Sequence, residues 1–193
     1  MTNTITVNAL CNGLIGESVA TNMGGHAGRD IENLIEKSGL SINRGSGCDI
    51  KILGLEVKSR DLDATSPQTI TTMTPDEICA TPYHQSAVHE KFQQQLRVFT
   101  RDCKIVDAAV YDFSPSQIQD LVEEAYENGR KEIREIMLQQ PGTNAPDYVY
   151  GSKYGYWERT SESTSYSFRI NHGAFHTLEA MARSTFTDLF EYQ

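Results

Sequence analysis

The chain has 193 residues, a net charge of −9 at pH 7 and an apolar content of 38%. That length supports one hydrophobic core and is short for two full-sized domains, so a single domain over residues 1–193 is expected. No apolar run is long enough to span a membrane and no basic-then-apolar leader is present, which argues against a membrane or secreted protein and for a cytoplasmic one.

Residues 1–40 read as two helices. The glycine-rich stretch Gly24-Gly25-His26-Ala27-Gly28 forms a tight turn between them, since it lacks the lysine and the strand–loop–helix setting of a phosphate loop. Ile31, Leu34 and Ile35 have helical spacing and Gly39 is a natural stop. Residues 47–74 read as strands, with a turn near Gly54 and a third strand over Thr69–Thr74. Periodicity then predicts a helix over Tyr83–Leu96 with Ala87, Val88, Phe92 and Leu96 inward. Lys104–Phe113 reads as a strand, Ser114 as a cap and Pro115 as the start of a long helix that Pro141-Gly142 ends. Ile118, Leu121, Val122, Ala125, Ile133, Ile136 and Met137 give that helix its apolar face. The order of elements predicts an α/β fold with one mixed central sheet flanked by helices.

Cys11, Cys48, Cys79 and Cys103 are widely separated and form no metal-spaced pair, which predicts reduced thiols. His84 and His89 are five apart and do not share the helical face that a two-histidine zinc site needs. The serine-rich run Ser161–Ser167 reads as a loop or edge strand, and no histidine–acid partner is identifiable for a serine nucleophile.

The chemistry concentrates in Gly47-Cys48-Asp49-Ile50-Lys51-Ile52-Leu53-Gly54-Leu55-Glu56-Val57-Lys58-Ser59-Arg60. Side chains alternate along a strand, so Glu56 and Lys58 share one face and Val57 takes the other. Three charges on a short apolar hairpin are expensive unless they have partners. An acid–x–lysine on one strand, joined by a second acid from its neighbour, suits a hard divalent cation with an ammonium beside it. The bland alternative is a surface hairpin with a Glu–Lys pair. Upstream, Glu32 follows Ile31 and lies at the border of its helix's buried stripe.

Gly25-His26-x-Gly28, then Glu32, then Asp49 and Glu56-Val57-Lys58-Ser59 together resemble the MutH branch of the PD-(D/E)XK nucleases. His26 replaces that branch's aromatic residue and Glu-Val-Lys-Ser replaces Glu-Leu-Lys-Thr. Fainter likeness covers Ala9–Ala20, Thr69–Thr74, the helix Val88-His89-Glu90-Lys91-Phe92 and the strand Ser167-Phe168-Arg169; about half of the chain is included. The resemblance implies a restriction-endonuclease-like fold and a Mg²⁺-dependent endonuclease for double-stranded DNA that leaves 5′-phosphate ends. Asp49, Glu56 and the Val57 carbonyl would be its metal ligands. Lys58 would act on the attacking water or on the phosphate, Glu32 would support a second metal or position Lys58, and Lys91 would be a further lysine directed toward the site. A restriction-type enzyme is preferred over a mismatch-repair nickase because the chain is compact and shows no obvious surface for a repair partner; a phage or mobile-element nuclease is another candidate in this class, and a homodimer is compatible with it. The rivals are a noncatalytic DNA- or protein-binding module on the same fold and an acidic globular protein with a chance motif.

The acidic balance opposes DNA binding as a whole-chain property, because phosphate contacts rest on lysine and arginine. Its distribution relaxes the conflict. From Lys37 to Arg60 there are five basic residues against Asp49 and Glu56, while acid gathers in the long helix at Asp120, Glu123, Glu124, Glu127, Glu132 and Glu135. Arg44 and Arg60 are therefore candidate DNA contacts. Tyr148, Tyr150, Lys153, Tyr154, Tyr156 and Trp157 put five aromatics and a lysine into ten residues. Lys153 and Tyr154, with these aromatics on a glycine-flexed loop, read as groove contacts or as stacking on bases. The equal alternative is a β-hairpin whose aromatics pack on a core. Arg159, Arg169, His172 and His176 beyond this loop read as phosphate contacts or, equally for each, as plain surface positions.

Overall fold

The computed structural model describes residues 7–21, 24–45, 47–139, 146–160 and 164–182. In chain order the elements are α1 (Val7–Leu14), α2 (Gly24–Lys37), β1 (Glu56–Asp61), β2 (Gln68–Met73), α3 (Pro75–Ala80), a 3-10 turn (Tyr83–Gln85), α4 (Ala87–Lys91), β3 (Gln94–Arg101), β4 (Lys104–Asp112), α5 (Ser116–Gln139), β5 (Tyr148–Tyr150), β6 (Tyr156–Arg159), β7 (Tyr166–Ile170) and α6 (His172–Ala182). The expected turn at Pro141-Gly142 lies outside the described residues. No described helix is long and apolar enough to cross a membrane.

The fold is α/β, but the strands form two sheets instead of one central sheet: β1-β3-β4, and β2-β7-β6-β5. The described chain divides into two compact units. The first combines residues up to Ala64 with Gln94–Asp112; the second combines Thr65–Gln93 with Phe113–Ala182.

In the first unit β1 runs parallel to β3, and β3 antiparallel to β4. A parallel pair needs a long crossover, and here residues Thr65–Gln93 of that crossover belong to the second unit. Alternation gives the sheet two unlike faces. Val57, Leu96, Val98, Ala108 and Val110 join Leu10, Leu14, Ile31 and Ile35 in one apolar cluster. The opposite face carries Glu56, Lys58 and, in register on β3, Gln95 and Arg97.

Helix α2 begins at Gly24, so the glycine stretch expected to turn the chain is its first turn. Its apolar stripe, with Ile31 and Ile35 fully buried, secures the helix against the cost of those glycines. It ends as expected: the Ser38 and Gly39 amides close on the carbonyls of Leu34 and Glu36, and Gly39 takes φ +95°.

The helix expected over Tyr83–Leu96 is mostly absent. Ser86 caps the short α4 by accepting from the His89 amide, and the Phe92 amide closes it on the Val88 carbonyl. Gln94–Arg101 is strand, and Leu96 is buried there. The alternation of Gln95, Arg97 and Phe99 with Leu96 and Val98 overrides the helical spacing upstream.

The second unit packs its antiparallel sheet against α5. Val149, Trp157 and Phe168 are fully buried, and Gly129 of α5 lets the Trp157 indole approach its backbone, where a Cβ would overlap the ring. The aromatic stretch is thus the hairpin β5–β6, with Trp157 inward and Tyr148 and Tyr150 exposed. Strand β7 lies between β2 and β6, so it is not an edge. Gln119, a polar position within the apolar face of α5, is also buried. Its Nε2 donates to the carbonyls of Phe92 (2.7 Å) and Phe113 (2.8 Å), while its Oε1 accepts from the Tyr83 hydroxyl (2.7 Å) and Gln93 Nε2 (3.2 Å).

Candidate metal centre

The strand expected to carry Asp49 is reduced to one antiparallel bridge, Ile50 to Leu55, closed by a turn in which Gly54 takes φ +66°. Continuing that register by one residue sets Asp49 opposite Glu56. The ladder goes no further because Asn43 draws the chain away. Its amide donates to the Asp49 carbonyl (2.7 Å) and its Nδ2 to the Cys48 carbonyl (3.2 Å). The Val57 amide, left without a main-chain ladder partner, donates instead to Asp49 Oδ2 at 2.8 Å. Strand β1 is the edge of its sheet, and a strand residue's N–H and C=O point to the same side. The Val57 carbonyl therefore faces the edge on which the Asp49 carboxylate sits, while its side chain remains in the apolar cluster.

Glu56 is 2% exposed and its Oε1 accepts from Lys58 Nζ at 2.8 Å. The pair confirms that the two share a face, as strand alternation requires. Beside them on β3 stand Gln95 and Arg97, both fully buried, with Arg97 Nη1 donating to Gln95 Oε1 (3.3 Å) and its guanidinium over the rings of Phe99 and Tyr111. In the sequence, the helical spacing that runs up to Leu96 hides these two residues. Their signal was the polar–apolar alternation from Gln95 to Phe99.

Glu32 projects from α2 at half-buried depth. Burial first, and then the charge of Asp49, push its carboxyl above the usual glutamate range, and Arg44 partly opposes them. Glu32 and Asp49 are thus electrostatic neighbours, and like charges so placed favour a cation between or beside them. Among the described residues no three His, Cys, Asp or Glu side chains are arranged to hold a metal ion. The donors that the resemblance assigns to one are two carboxylates, Asp49 and Glu56, with the Val57 carbonyl. All are hard oxygens, and Mg²⁺ characteristically takes one or two carboxylates and retains several waters.

The remaining candidates lie on several elements. Arg44 makes a two-pronged bond to Glu36 (2.9 Å for each). Arg60 continues the Glu56–Lys58 face and donates to the Ala64 carbonyl. Lys91, at the end of α4, belongs to the second unit, as do Lys153, Tyr154, Arg159 and Arg169. Lys153 Nζ lies 5.0 Å from the Tyr154 ring centroid in the turn between β5 and β6. Arg159 is in register with Tyr166, whereas Arg169 is in register with Tyr156, so the two arginines start from opposite faces of their sheet. Arg169 forms an ion pair with Glu158, with 2.8 Å between Nε and Oε2.

His84 and His89, set aside on helical spacing, do meet: their rings are 5.2 Å apart because the 3-10 turn folds back on α4. His84 Nε2 reaches Glu123 Oε2 (3.2 Å), and burial followed by His84 pushes the His89 pKa down. All four cysteines are free thiols, and burial pushes the Cys11 thiol up to about 11, which keeps it inert. No protein-family model and no curated protein matches this chain, so the likeness to the PD-(D/E)XK nucleases rests on Glu32, Asp49, Glu56 and Lys58 and their spacing.

Proposed function

We propose that this chain is a Mg²⁺-dependent endonuclease of the PD-(D/E)XK type, acting on double-stranded DNA with the outer edge of β1 as its hydrolytic centre. The observation that carries this reading is the Asp49 carboxylate seated on the Val57 amide, next to the Glu56–Lys58 pair. It puts an acid, a strand carbonyl, a second acid and an ammonium within three consecutive residues of one strand edge and the loop beside it.

Asp49, Glu56 and the Val57 carbonyl would hold Mg²⁺, which would supply Lewis-acid polarisation of a phosphate oxygen and would make a water more acidic. The chain's own groups supply the rest. Lys58, held by Glu56, presents its ammonium to the negative charge that grows on the phosphate as water attacks phosphorus and the 3′ oxygen departs. Glu56 can release Lys58 once its carboxylate is engaged elsewhere. Glu32, disposed by burial and by Asp49 to hold a proton, is suited to exchange one near the site. Arg97, buried in register with Lys58, adds positive charge to the same face. Restriction-type cleavage remains the preferred form of the activity.

The test is incubation of the purified chain with methylated and unmethylated plasmid, with and without Mg²⁺. Linear products support a restriction enzyme, and nicked circles a nickase. Lys58→Ala should abolish cutting while DNA binding persists, whereas Asp49→Ala should lose metal binding and cutting together. Wild-type turnover in either variant refutes the assignment. DNA bound without any cutting by the native chain supports a noncatalytic module.

A further inference from the structure

Helix α6 opens with two histidines one turn apart, and an acid follows one turn later. His172 and His176 are at positions i and i+4, which share a helix face. Their Nε2 atoms lie 3.2 Å apart, with rings nearly perpendicular at 85° and centroids at 4.5 Å. Glu179 Oε2 lies 3.3 Å from His176 Nδ1, and its side chain is 11% exposed against 59% for His176.

We propose that His172 and His176 form a chelating site for a borderline divalent transition ion of the Zn²⁺ type, with Glu179 as the residue that positions His176. The bite is the first reason. Two nitrogens bound at about 2.0–2.1 Å in a tetrahedral shell stand roughly 3.3 Å apart, and the observed separation is 3.2 Å. The spacing is already that of a bound pair, and ligation asks each ring to turn its Nε2 lone pair from its neighbour toward the ion.

The second reason is the tautomer. An ionised carboxylate only accepts hydrogen bonds, so Glu179 fixes the proton of neutral His176 on Nδ1 and leaves a lone pair on its Nε2. In the metal-free chain His172 then donates from Nε2 into that lone pair. When the ion binds, the His172 proton moves from Nε2 to Nδ1, both Nε2 lone pairs turn to the ion, and no proton is released from the neutral pair. Glu179–His176–metal is the carboxylate–histidine relay that raises ligand basicity and locks ring orientation.

The donor chemistry separates this site from the acidic edge of β1. Imidazole nitrogens suit Zn²⁺, Cu²⁺ and Ni²⁺, while Mg²⁺ and Ca²⁺ favour carboxylate and carbonyl oxygen. Two protein ligands leave open positions for water or an anionic ligand. His84 and His89 differ in separation: their ring centroids stand 5.2 Å apart, against 4.5 Å for His172 and His176. The site does not depend on the nuclease reading.

The experiment is a Zn²⁺ titration of the full chain followed by the ring ¹⁵N resonances of its five histidines. The expected result is a shift of both the His172 and His176 Nε2 signals, saturating at one ion per chain, with His172 changing from the Nε2–H to the Nδ1–H tautomer. His172→Ala and His176→Ala should each weaken binding at least tenfold. Glu179→Gln should weaken it about tenfold through the lost relay while the two rings still respond. Zn²⁺ that leaves these two rings unmoved at millimolar concentration, or that shifts other histidines or only the thiols, overturns the proposal. So does undiminished affinity in His176→Ala, a substitution at an exposed position that spares the core.

Discussion

Replacing Lys58 by methionine tests whether Glu56 is a buried charge held in place by its neighbour. Glu56 keeps only 2% of its side chain in water and Lys58 17%, with 2.8 Å between Nζ and Oε1. Breaking one side of a buried pair typically costs about 3–5 kcal/mol because the surviving charge is left in a poor solvent. The residual exposure of Lys58 places this pair at the lower end, about 3 kcal/mol. Native-state amide exchange at Leu96 and Val98, whose strand pairs with β1, reads that loss as roughly 150-fold faster exchange. Glu56→Gln alone should cost much less, since Lys58 can reach water, and added to Lys58→Met it should restore most of the protection. Mg²⁺ should restore part of it in Lys58→Met if the proposed centre binds the ion. An increase below about fivefold in Lys58→Met, with no rescue by Glu56→Gln, would falsify the buried-charge argument.

Further outcomes are expected at Glu32, Gln119 and Gly129. Glu32 should titrate above the ordinary glutamate range in side-chain carboxyl NMR, and Asp49→Asn should lower its pKa without normalising it, because burial is the larger cause. A carboxyl with a raised folded-state pKa favours folding at low pH and loses that contribution as pH rises through it. Glu32→Gln should therefore stabilise the metal-free chain at neutral pH, with the gain vanishing below about pH 4; urea midpoints across that range check it. Gln119→Leu leaves the Tyr83 hydroxyl and two carbonyls without their present partner, and should destabilise the second unit by about 3 kcal/mol or more. Gly129→Ala drives a methyl into the Trp157 indole, and overpacking should cost about 1–3 kcal/mol despite the better helix propensity. Trp157 is the single tryptophan, so its fluorescence reports unfolding for both variants, and unchanged midpoints would show that the packing has been misread.

Sequence alone determined the features written in local periodicity and punctuation. Strand β4, the third strand at β2, the apolar stripe of α5 and the Gly39 stop of α2 all stand where spacing put them, because each is decided by neighbours within a turn or a hairpin. The shared face of Glu56 and Lys58 was legible for the same reason. Tertiary structure decided what those side chains meet. Asp49 reaches the Val57 amide because Asn43, six residues upstream, occupies the carbonyls of Cys48 and Asp49. No property of the hairpin by itself specifies that bond. Two sheets instead of one, the strand at Gln94–Arg101 where helical spacing suggested otherwise, and the burial of Gln95 and Arg97 depend likewise on which distant segments pair. The burial of Gln119 depends on carbonyls delivered by Phe92 and Phe113. Apolar burial can be forecast from composition and period, since almost any apolar neighbour serves. A buried polar group needs particular donors and acceptors at particular distances, and only the folded chain brings those together.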